Sequence, residues 1–126
     1  MAKVNAKTGI QNYKTVITGT SHTFLADEPA DLGGTDLGPN PNEFLAASLA
    51  SCITITVRMY ADRKKWPLDE VEVSVEVDYK TEPGITRFKK DIILKGDLTE
   101  DQKLKLYIIA GKCPVNKALQ QTIIME

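Results

Sequence analysis

Hydrophobic and polar residues alternate in the middle of this chain with the period of a β-strand. Between positions 70 and 79, valines and a tyrosine alternate with acidic residues and a serine, so one face is apolar and the other acidic. The segment RFKKDIILK at 87–95 predicts a second strand, and the turn sequence TEPGIT between them predicts an antiparallel pair. We expect the basic residues of the second strand to pair with the acidic face of the first: Arg87, Lys89, Lys90 and Lys95.

The most apolar stretch follows a loop rich in Gly, Pro and Asp, and it predicts one long helix. Asn40 suits the cap position, Pro41 suits the first helical position, and Glu43 stands where a capping box places its acid. Nothing interrupts the helix before about Lys64, which gives roughly 24 residues and a length of about 36 Å. Its first half is apolar all round and is therefore predicted to be buried on every side.

Shorter patterns complete the predicted element order, which is β-β-α-β-β-α-α-β. Residues 13–19 and 22–27 predict a hairpin, and Thr99 with Gln102 predicts a capping box at the start of a helix over 100–110. A short helix is predicted after Cys113, and the final TIIM at 122–125 is predicted to be a strand. The pattern predicts a single α+β domain over 1–126, with a long central helix packed on an antiparallel sheet.

Composition and charge narrow the classes of function. The chain has 126 residues and a net charge of −1, so no overall electrostatic field attracts nucleic acid or an anionic membrane. The first ten residues lack the apolar core of a secretory signal, and the apolar run at 44–57 is shorter than a membrane span. We therefore expect a cytoplasmic protein with reduced thiols, without nucleic-acid or membrane partners.

The two cysteines, Cys52 and Cys113, carry the candidate chemistry. A metal site is disfavoured, because the chain has one histidine, His22, and no Cys-x-x-Cys or similar ligand spacing. Neither a metal nor another cofactor is therefore predicted. Cys113 precedes Pro114 at a helix start, where free N–H groups favour a negative charge, so an accessible thiolate is predicted there.

Helical geometry places Cys52 on an uncharged face. Residues that share this face are apolar or hydroxylated: Leu45, Ser48, Ile55, Thr56 and Met59. Glu43 lies nine positions before Cys52 and nearly on the opposite side of the helix. If Glu43 serves a cysteine, it therefore serves the cysteine of a second subunit, or the start of the helix is bent.

Taken individually, these residues are more commonly structural than catalytic. Cys52 can be a small buried hydrophobe, Cys113 a structural residue, and Glu43 simply a helix-start residue. His22, on a predicted strand, is more commonly a hydrogen-bonded residue than a base. The residues taken individually leave these alternatives open.

Two motifs taken together resemble a known family. GPNPNEFLAASLASCITITV, followed 61 positions after Cys52 by KCPVNKAL, is similar to the OsmC/Ohr family of organic hydroperoxide reductases. The segments DEPADLGGTDLGPNP and RKKWPLDEVEVSVEVDY are also typical of OsmC-like members. The resemblance extends from about Tyr13 to the C-terminus.

The resemblance implies an OsmC-like fold, an intertwined homodimer, and sites built from both chains. It implies that the thiolate at Cys52 attacks an organic hydroperoxide and becomes a sulfenic acid. Cys113 then forms a disulfide with Cys52, which an external dithiol reduces. By the same resemblance Glu43 is a catalytic residue.

Two departures from the family pattern define an alternative. In the organic hydroperoxide branch the glutamate follows Asn-Pro directly, whereas here Asn42 does so and Glu43 comes one step later. The family's N-terminal arginine has no counterpart, since no arginine precedes Arg58. Four residues are candidates to supply its charge: Lys14, Arg58, Arg63 and Arg87. The alternative is an OsmC-like dimeric scaffold or small-molecule-binding protein with slow or no turnover.

Overall fold

The computed structural model describes all residues, 1–126, and the chain divides into two compact units, Met1–Leu45 and Ala46–Glu126. Three helices and two small antiparallel sheets make up an α+β architecture, as the sequence predicts. The elements are, in chain order, β1 (Asn5–Thr8), β2 (Thr15–Thr18), β3 (Thr23–Ala26), a 3₁₀ turn (Ala30–Leu32), α1 (Pro41–Lys64), β4 (Leu68–Asp78), β5 (Arg87–Gly96), α2 (Glu100–Ala110) and α3 (Pro114–Gln120).

The N-terminal unit contains a three-stranded sheet in the order β1-β2-β3. The predicted hairpin is confirmed as β2 and β3, which pair antiparallel with Thr15 opposite Ala26. Strand β1, which the sequence pattern missed, pairs with β2 through Asn5 opposite Thr18. All four β1 residues are exposed, so this edge strand has no buried face and leaves no hydrophobic alternation to recognise.

Asp27 organises the loop that follows β3. Its Oδ1 accepts hydrogen bonds from the N–H groups of Tyr13 and Glu28, at 3.0 and 2.8 Å. Its Oδ2 accepts one from the Thr35 hydroxyl at 2.8 Å and one from the Leu37 N–H at 3.2 Å. The buried carboxylate therefore gathers four donors from three separate segments of the N-terminal unit.

The same loop requires glycine where two backbone segments approach closely. A Cβ at Gly34 would overlap the Glu28 carbonyl oxygen, and a Cβ at Gly38 would overlap that of Leu25. Because no other residue lacks a Cβ, both positions need glycine for the loop to close as it does.

Helix α1 has the predicted bounds, but its predicted burial on every side is wrong for the chain alone. Only one stripe is buried, at a spacing of four residues: Leu49, Ile53, Val57 and Ala61. Leu45, in the first half, is 39% exposed, and Ile55 and Met59 farther along are 57% and 67% exposed. The elements of one small unit pack against a single face of this helix, and the opposite face stays uncovered.

By length and composition alone, α1 is also apolar enough to cross a membrane. About 22% of its apolar window is buried within the chain, and the core helices of soluble proteins pass the same test. This property is therefore weak evidence for a membrane span.

The hairpin of β4 and β5 confirms the predicted strand pair and corrects one residue of it. Lys95 pairs with Glu70 at 2.9 Å, and Lys89 stands opposite Glu76 on the same outer face. Lys90, however, stands opposite Val75, so it belongs to the face that packs on the helices. The RFKK sequence contains adjacent lysines, and the strand period places them on opposite faces.

Helices α2 and α3 begin as predicted and complete the core of the C-terminal unit. The side chain of Thr99 accepts a hydrogen bond from the Gln102 N–H at 3.1 Å, which confirms the capping box. Pro114 occupies the first turn of α3, with Cys113 as its cap. Leu106 and Ala110 of α2 pack with the buried stripe of α1 in one hydrophobic cluster.

The predicted C-terminal strand is wrong for the isolated chain. Residues 121–126 form no strand and are all exposed, and Ile123 and Ile124 are 60% and 75% exposed. A strand needs a hydrogen-bonded neighbour, and this segment pairs with neither sheet, so its β-branched residues alone do not produce one.

Candidate functional site

The structure brings Cys52 and Cys113 together, although 61 positions separate them in the sequence. Cys52 lies in the middle of α1, and Cys113 is the cap residue of α3. Cys52 packs against the buried cluster that contains Cys113, and the N–H of Val115, two residues after Cys113, lies 3.5 Å from Cys52 Sγ. Both thiols are free, and both lie beside the first turn of α3.

The two thiols differ in access to solvent. Cys52 is half-buried, whereas Cys113 is completely buried, so the accessible thiol predicted at Cys113 is wrong for this chain. Burial is the largest influence on the Cys113 thiol and raises its pKa, and the contact with Cys52 raises the pKa further. The N–H groups of Asn116 and Val115 act in the opposite direction, but the pKa stays above its ordinary value. Desolvation therefore raises the pKa of Cys113 by more than the N–H groups at the helix start lower it.

Glu43 occupies the helix-start position that the sequence predicts. Its Oε1 accepts a hydrogen bond from the Asn40 N–H at 3.1 Å, and its own N–H donates to Asn40 Oδ1 at 2.9 Å. This reciprocal pair is a capping box for α1. Glu43 belongs to the N-terminal unit, while both cysteines belong to the C-terminal unit.

Three of the candidate cations have partners of their own. Arg58 donates to Asp62 at 2.7 Å and to the Leu68 carbonyl at 2.6 Å. Arg87 pairs with Glu82, and the Arg63 guanidinium lies 5.1 Å from the centroid of the Tyr60 ring. None of these contacts involves a cysteine.

The two remaining candidates, Lys14 and His22, belong to the N-terminal unit. Lys14 is half-buried next to β2 in the N-terminal unit, and its carbonyl accepts a hydrogen bond from the Thr8 hydroxyl. His22 is exposed at the turn before β3. The structure contains no group of three or more His, Cys, Asp or Glu side chains arranged to hold a metal ion.

Sequence reasoning missed two residues beside Cys113, namely Asn116 and Lys90. The Asn116 N–H donates to Cys113 Sγ at 3.3 Å, and Lys90 Nζ donates to Asn116 Oδ1 at 3.3 Å. Asn116 had a recognisable signal, because it is the third residue after a helix cap, where a backbone N–H meets the cap side chain. Lys90 also had one, because it shares the two-residue period of the apolar Phe88 and Ile92 in RFKKDIILK.

Comparison with known proteins identifies the family. The family model described as "OsmC-like protein" matches residues 34–126, about three quarters of the chain. The chain belongs to the OsmC-like family. This confirms the resemblance drawn from the two cysteine motifs.

Known relatives of this OsmC-like protein are distant in sequence. An uncharacterized protein of Haloferax volcanii is 26% identical over 102 residues, which cover 79% of this chain and 77% of that protein. The crystal structure of an OsmC-like protein from Mycoplasma pneumoniae superposes with a TM-score of 0.80 at 16% identity, covering 97% of this chain and 89% of that one. The organic hydroperoxide resistance protein OhrB of Bacillus subtilis gives a TM-score of 0.63 at 26% identity, covering 97% and 92%. The OsmC-like α+β fold is therefore shown.

Proposed function

We propose that this OsmC-like protein is a thiol peroxidase that reduces organic hydroperoxides through Cys52 and Cys113. One observation carries the proposal: the half-buried thiol of Cys52 packs against the buried cluster that contains the Cys113 thiol, beside the first turn of α3. The similarity to OhrB of Bacillus subtilis, an organic hydroperoxide resistance protein, supports the substrate class. Two neighbouring free thiols fit a redox cycle between dithiol and disulfide.

In the first step the Cys52 thiolate attacks the terminal oxygen of the hydroperoxide. A sulfur–oxygen bond forms, the O–O bond breaks, and the alkoxide leaves and takes a proton to become an alcohol. The sulfur loses two electrons and becomes a sulfenic acid, while the peroxide is reduced by the same two electrons. Cys52 is assigned this step because it is the less buried of the two thiols.

In the second step Cys113 attacks the sulfenic sulfur of Cys52. A disulfide bond forms, the S–O bond breaks, and the oxygen leaves as water with the proton of the Cys113 thiol. An external dithiol then returns both cysteines to the thiol state by exchange and is itself oxidised to a disulfide. Burial of Cys113 suits this role, since a thiol shielded from solvent is kept from direct oxidation.

The working unit in this proposal is a cytoplasmic homodimer. The uncovered face of α1 is apolar and includes the large side chains of Ile55 and Met59. Exposure of these side chains to water is unfavourable in free energy. A second copy that covers this face would also surround Cys52 with apolar side chains, which favours bulky organic hydroperoxides. Glu43 of the second copy would then be the carboxylate next to the thiols.

Mass spectrometry of the reduced protein after treatment with one equivalent of cumene hydroperoxide tests the cycle. We expect a loss of two hydrogens and a peptide that joins Cys52 to Cys113. Cys52→Ser should abolish peroxide consumption. Multiple oxygen additions without a joined peptide would overturn the assignment of Cys113.

One observation favours a second candidate, a non-catalytic dimeric scaffold or small-molecule-binding protein. Arg58, Arg63 and Arg87 all interact with other side chains, and none of these contacts involves Cys52. A coupled assay with cumene hydroperoxide and a dithiol distinguishes the two. Consumption no faster than that of Cys52→Ser would support the scaffold.

A further inference from the structure

The Asn116 side chain connects three segments around Cys113. Its Nδ2 donates to the Gly111 carbonyl at 2.7 Å, just beyond the end of α2. Its Oδ1 accepts from Lys90 Nζ of β5 at 3.3 Å, and its backbone N–H donates to Cys113 Sγ at 3.3 Å. A single residue, only 7% exposed, therefore links the sheet, the end of α2 and the thiol.

The two side-chain partners of Asn116 specify the same orientation of its amide. A carbonyl can only accept a hydrogen bond, so the NH₂ group must face Gly111. A lysine ammonium can only donate, so the amide oxygen must face Lys90. Without Lys90, only the contact with Gly111 would define the orientation, and the buried amide oxygen would lose its protein partner.

Gly111 and Asn116 lie on either side of Cys113 in the sequence, so the amide closes the turn that contains this cysteine. The turn determines where the first N–H groups of α3 point, and one of them contacts Cys113 Sγ. The direction of this sulfur therefore depends on the amide. Lys90 reaches the site because it lies opposite Val75 on the helix-facing side of the hairpin, unlike the neighbouring Lys89.

We propose that Lys90, acting through Asn116, is a positioning residue that holds the Cys113 thiol toward Cys52 for disulfide formation. The inference rests on the proposed function, because it assigns a role in the second step of that cycle. In that step the Cys113 sulfur must approach the sulfenic sulfur of Cys52 as the S–O bond breaks. A Cys113 side chain free to rotate away spends less time in this arrangement, so the bond forms more slowly.

The experiment measures the two steps separately in a single turnover. The reduced protein is mixed with one equivalent of cumene hydroperoxide. Peroxide loss gives the rate at Cys52, and decay of the sulfenic acid, trapped with dimedone at successive times, gives the rate of disulfide formation. The variants are Lys90→Met, Lys90→Arg and, as the matched control, Lys89→Met, which removes the adjacent lysine from the outer face.

We expect Lys90→Met to slow disulfide formation by about three- to tenfold, the effect of losing one hydrogen bond, with peroxide loss unchanged. Lys90→Arg, which keeps a charged donor, should restore most of the rate, and Lys89→Met should behave as wild type. A thermal melt of each variant checks that the fold is intact.

The outcomes separate the two proposals. If the wild type forms the disulfide and Lys90→Met forms it equally fast, the role of Lys90 is wrong and the proposed function stands. The same conclusion follows if Lys89→Met slows the step as much as Lys90→Met does, or if Lys90→Arg fails to restore it. If the wild type forms no disulfide, both proposals fail.

Discussion

The backbone N–H of Val115 lies 3.5 Å from Cys52 Sγ, although 63 positions separate the two residues. This contact ties the middle of α1 to the first turn of α3, and it gives the half-buried thiol a backbone donor. The donor in this contact is a backbone N–H and not a side-chain cation. The relationship places Cys52 next to Cys113, and the first prediction below depends on that proximity.

Replacement of Cys113 by serine should separate attack on peroxide from disulfide formation. Cys113→Ser is expected to consume about one equivalent of cumene hydroperoxide and then stop, because its sulfenic acid has no thiol to resolve it. Excess peroxide should convert Cys52 to sulfinic acid, an increase of two oxygens by mass spectrometry. Repeated turnover by this variant in the coupled assay with a dithiol would show that Cys113 is dispensable.

The raised pKa of Cys113 predicts a stability that falls with increasing pH. The unfolded thiol has a pKa of about 8.5, and burial, the largest cause, raises the folded value above it. The folded state therefore holds the proton more tightly, so this contribution to stability is complete below about pH 8.5 and is lost as the pH rises through the folded pKa. The slope is at most about 1.4 kcal/mol per pH unit.

Urea unfolding of the reduced protein between pH 7 and 10 measures this effect. Cys113→Ala is the control, because the variant retains every other titratable group of the protein. We expect the free energy of unfolding of the wild type to fall relative to that of Cys113→Ala above pH 8.5. The difference between the two proteins should therefore become smaller. A difference that is constant over this range would contradict the prediction.

Two substitutions at Glu43 distinguish a catalytic carboxylate from a capping residue. Glu43→Gln keeps an oxygen that can accept from the Asn40 N–H but removes the charge. It should leave the melting temperature nearly unchanged and lower the rate of peroxide loss. Glu43→Ala should lower both, with a cost in stability of about 1 kcal/mol for the lost hydrogen bond to the Asn40 N–H. Equal rates of peroxide loss for wild type and Glu43→Gln would show that Glu43 caps the helix and has no catalytic role.

Asp27 is expected to set the acid stability of the N-terminal unit. Burial alone would raise the pKa of this carboxyl, but hydrogen bonds from Glu28, Thr35, Leu37 and Tyr13 lower it to about 2. Its contribution to stability is therefore present above about pH 4 and is lost as the pH falls toward 2. Thermal melts should show Asp27→Asn destabilised at pH 7, with the difference from wild type shrinking below pH 4. Asp31→Asn, on the exposed 3₁₀ turn, should have little effect at either pH.

The open face of α1 predicts the dimer. Sedimentation of the wild type at micromolar concentration should give about twice the chain mass of 13.9 kDa. Met59→Lys places a charge on the uncovered face and should shift the protein toward monomer. Ile93→Lys, a matched change of an exposed apolar residue on the outer face of β5, should leave the mass unchanged. A wild type that sediments as a well-folded monomer would remove the basis for a site shared between subunits.

Interactions between near neighbours made much of the fold predictable from the sequence. The capping boxes at Asn40 and at Thr99 each join residues three positions apart, so the sequence shows both partners at once. The valine alternation of β4 likewise follows from the two-residue period of a strand. The cysteine motifs identified the family for the same reason, since each motif is a short continuous segment.

Tertiary packing decided what the sequence pattern left open or predicted wrongly. The hydrogen bond between Lys90 and Asn116 joins positions 26 apart, and that between Val115 and Cys52 joins positions 63 apart. The burial that raises the pKa of Cys113 comes from the cluster formed with α1 and α2, which no local pattern displays. The segment 122–125 has the composition of a strand but no neighbour to pair with in the chain. Local propensity depends on adjacent residues, whereas desolvation and strand pairing depend on which distant segments the fold brings into contact.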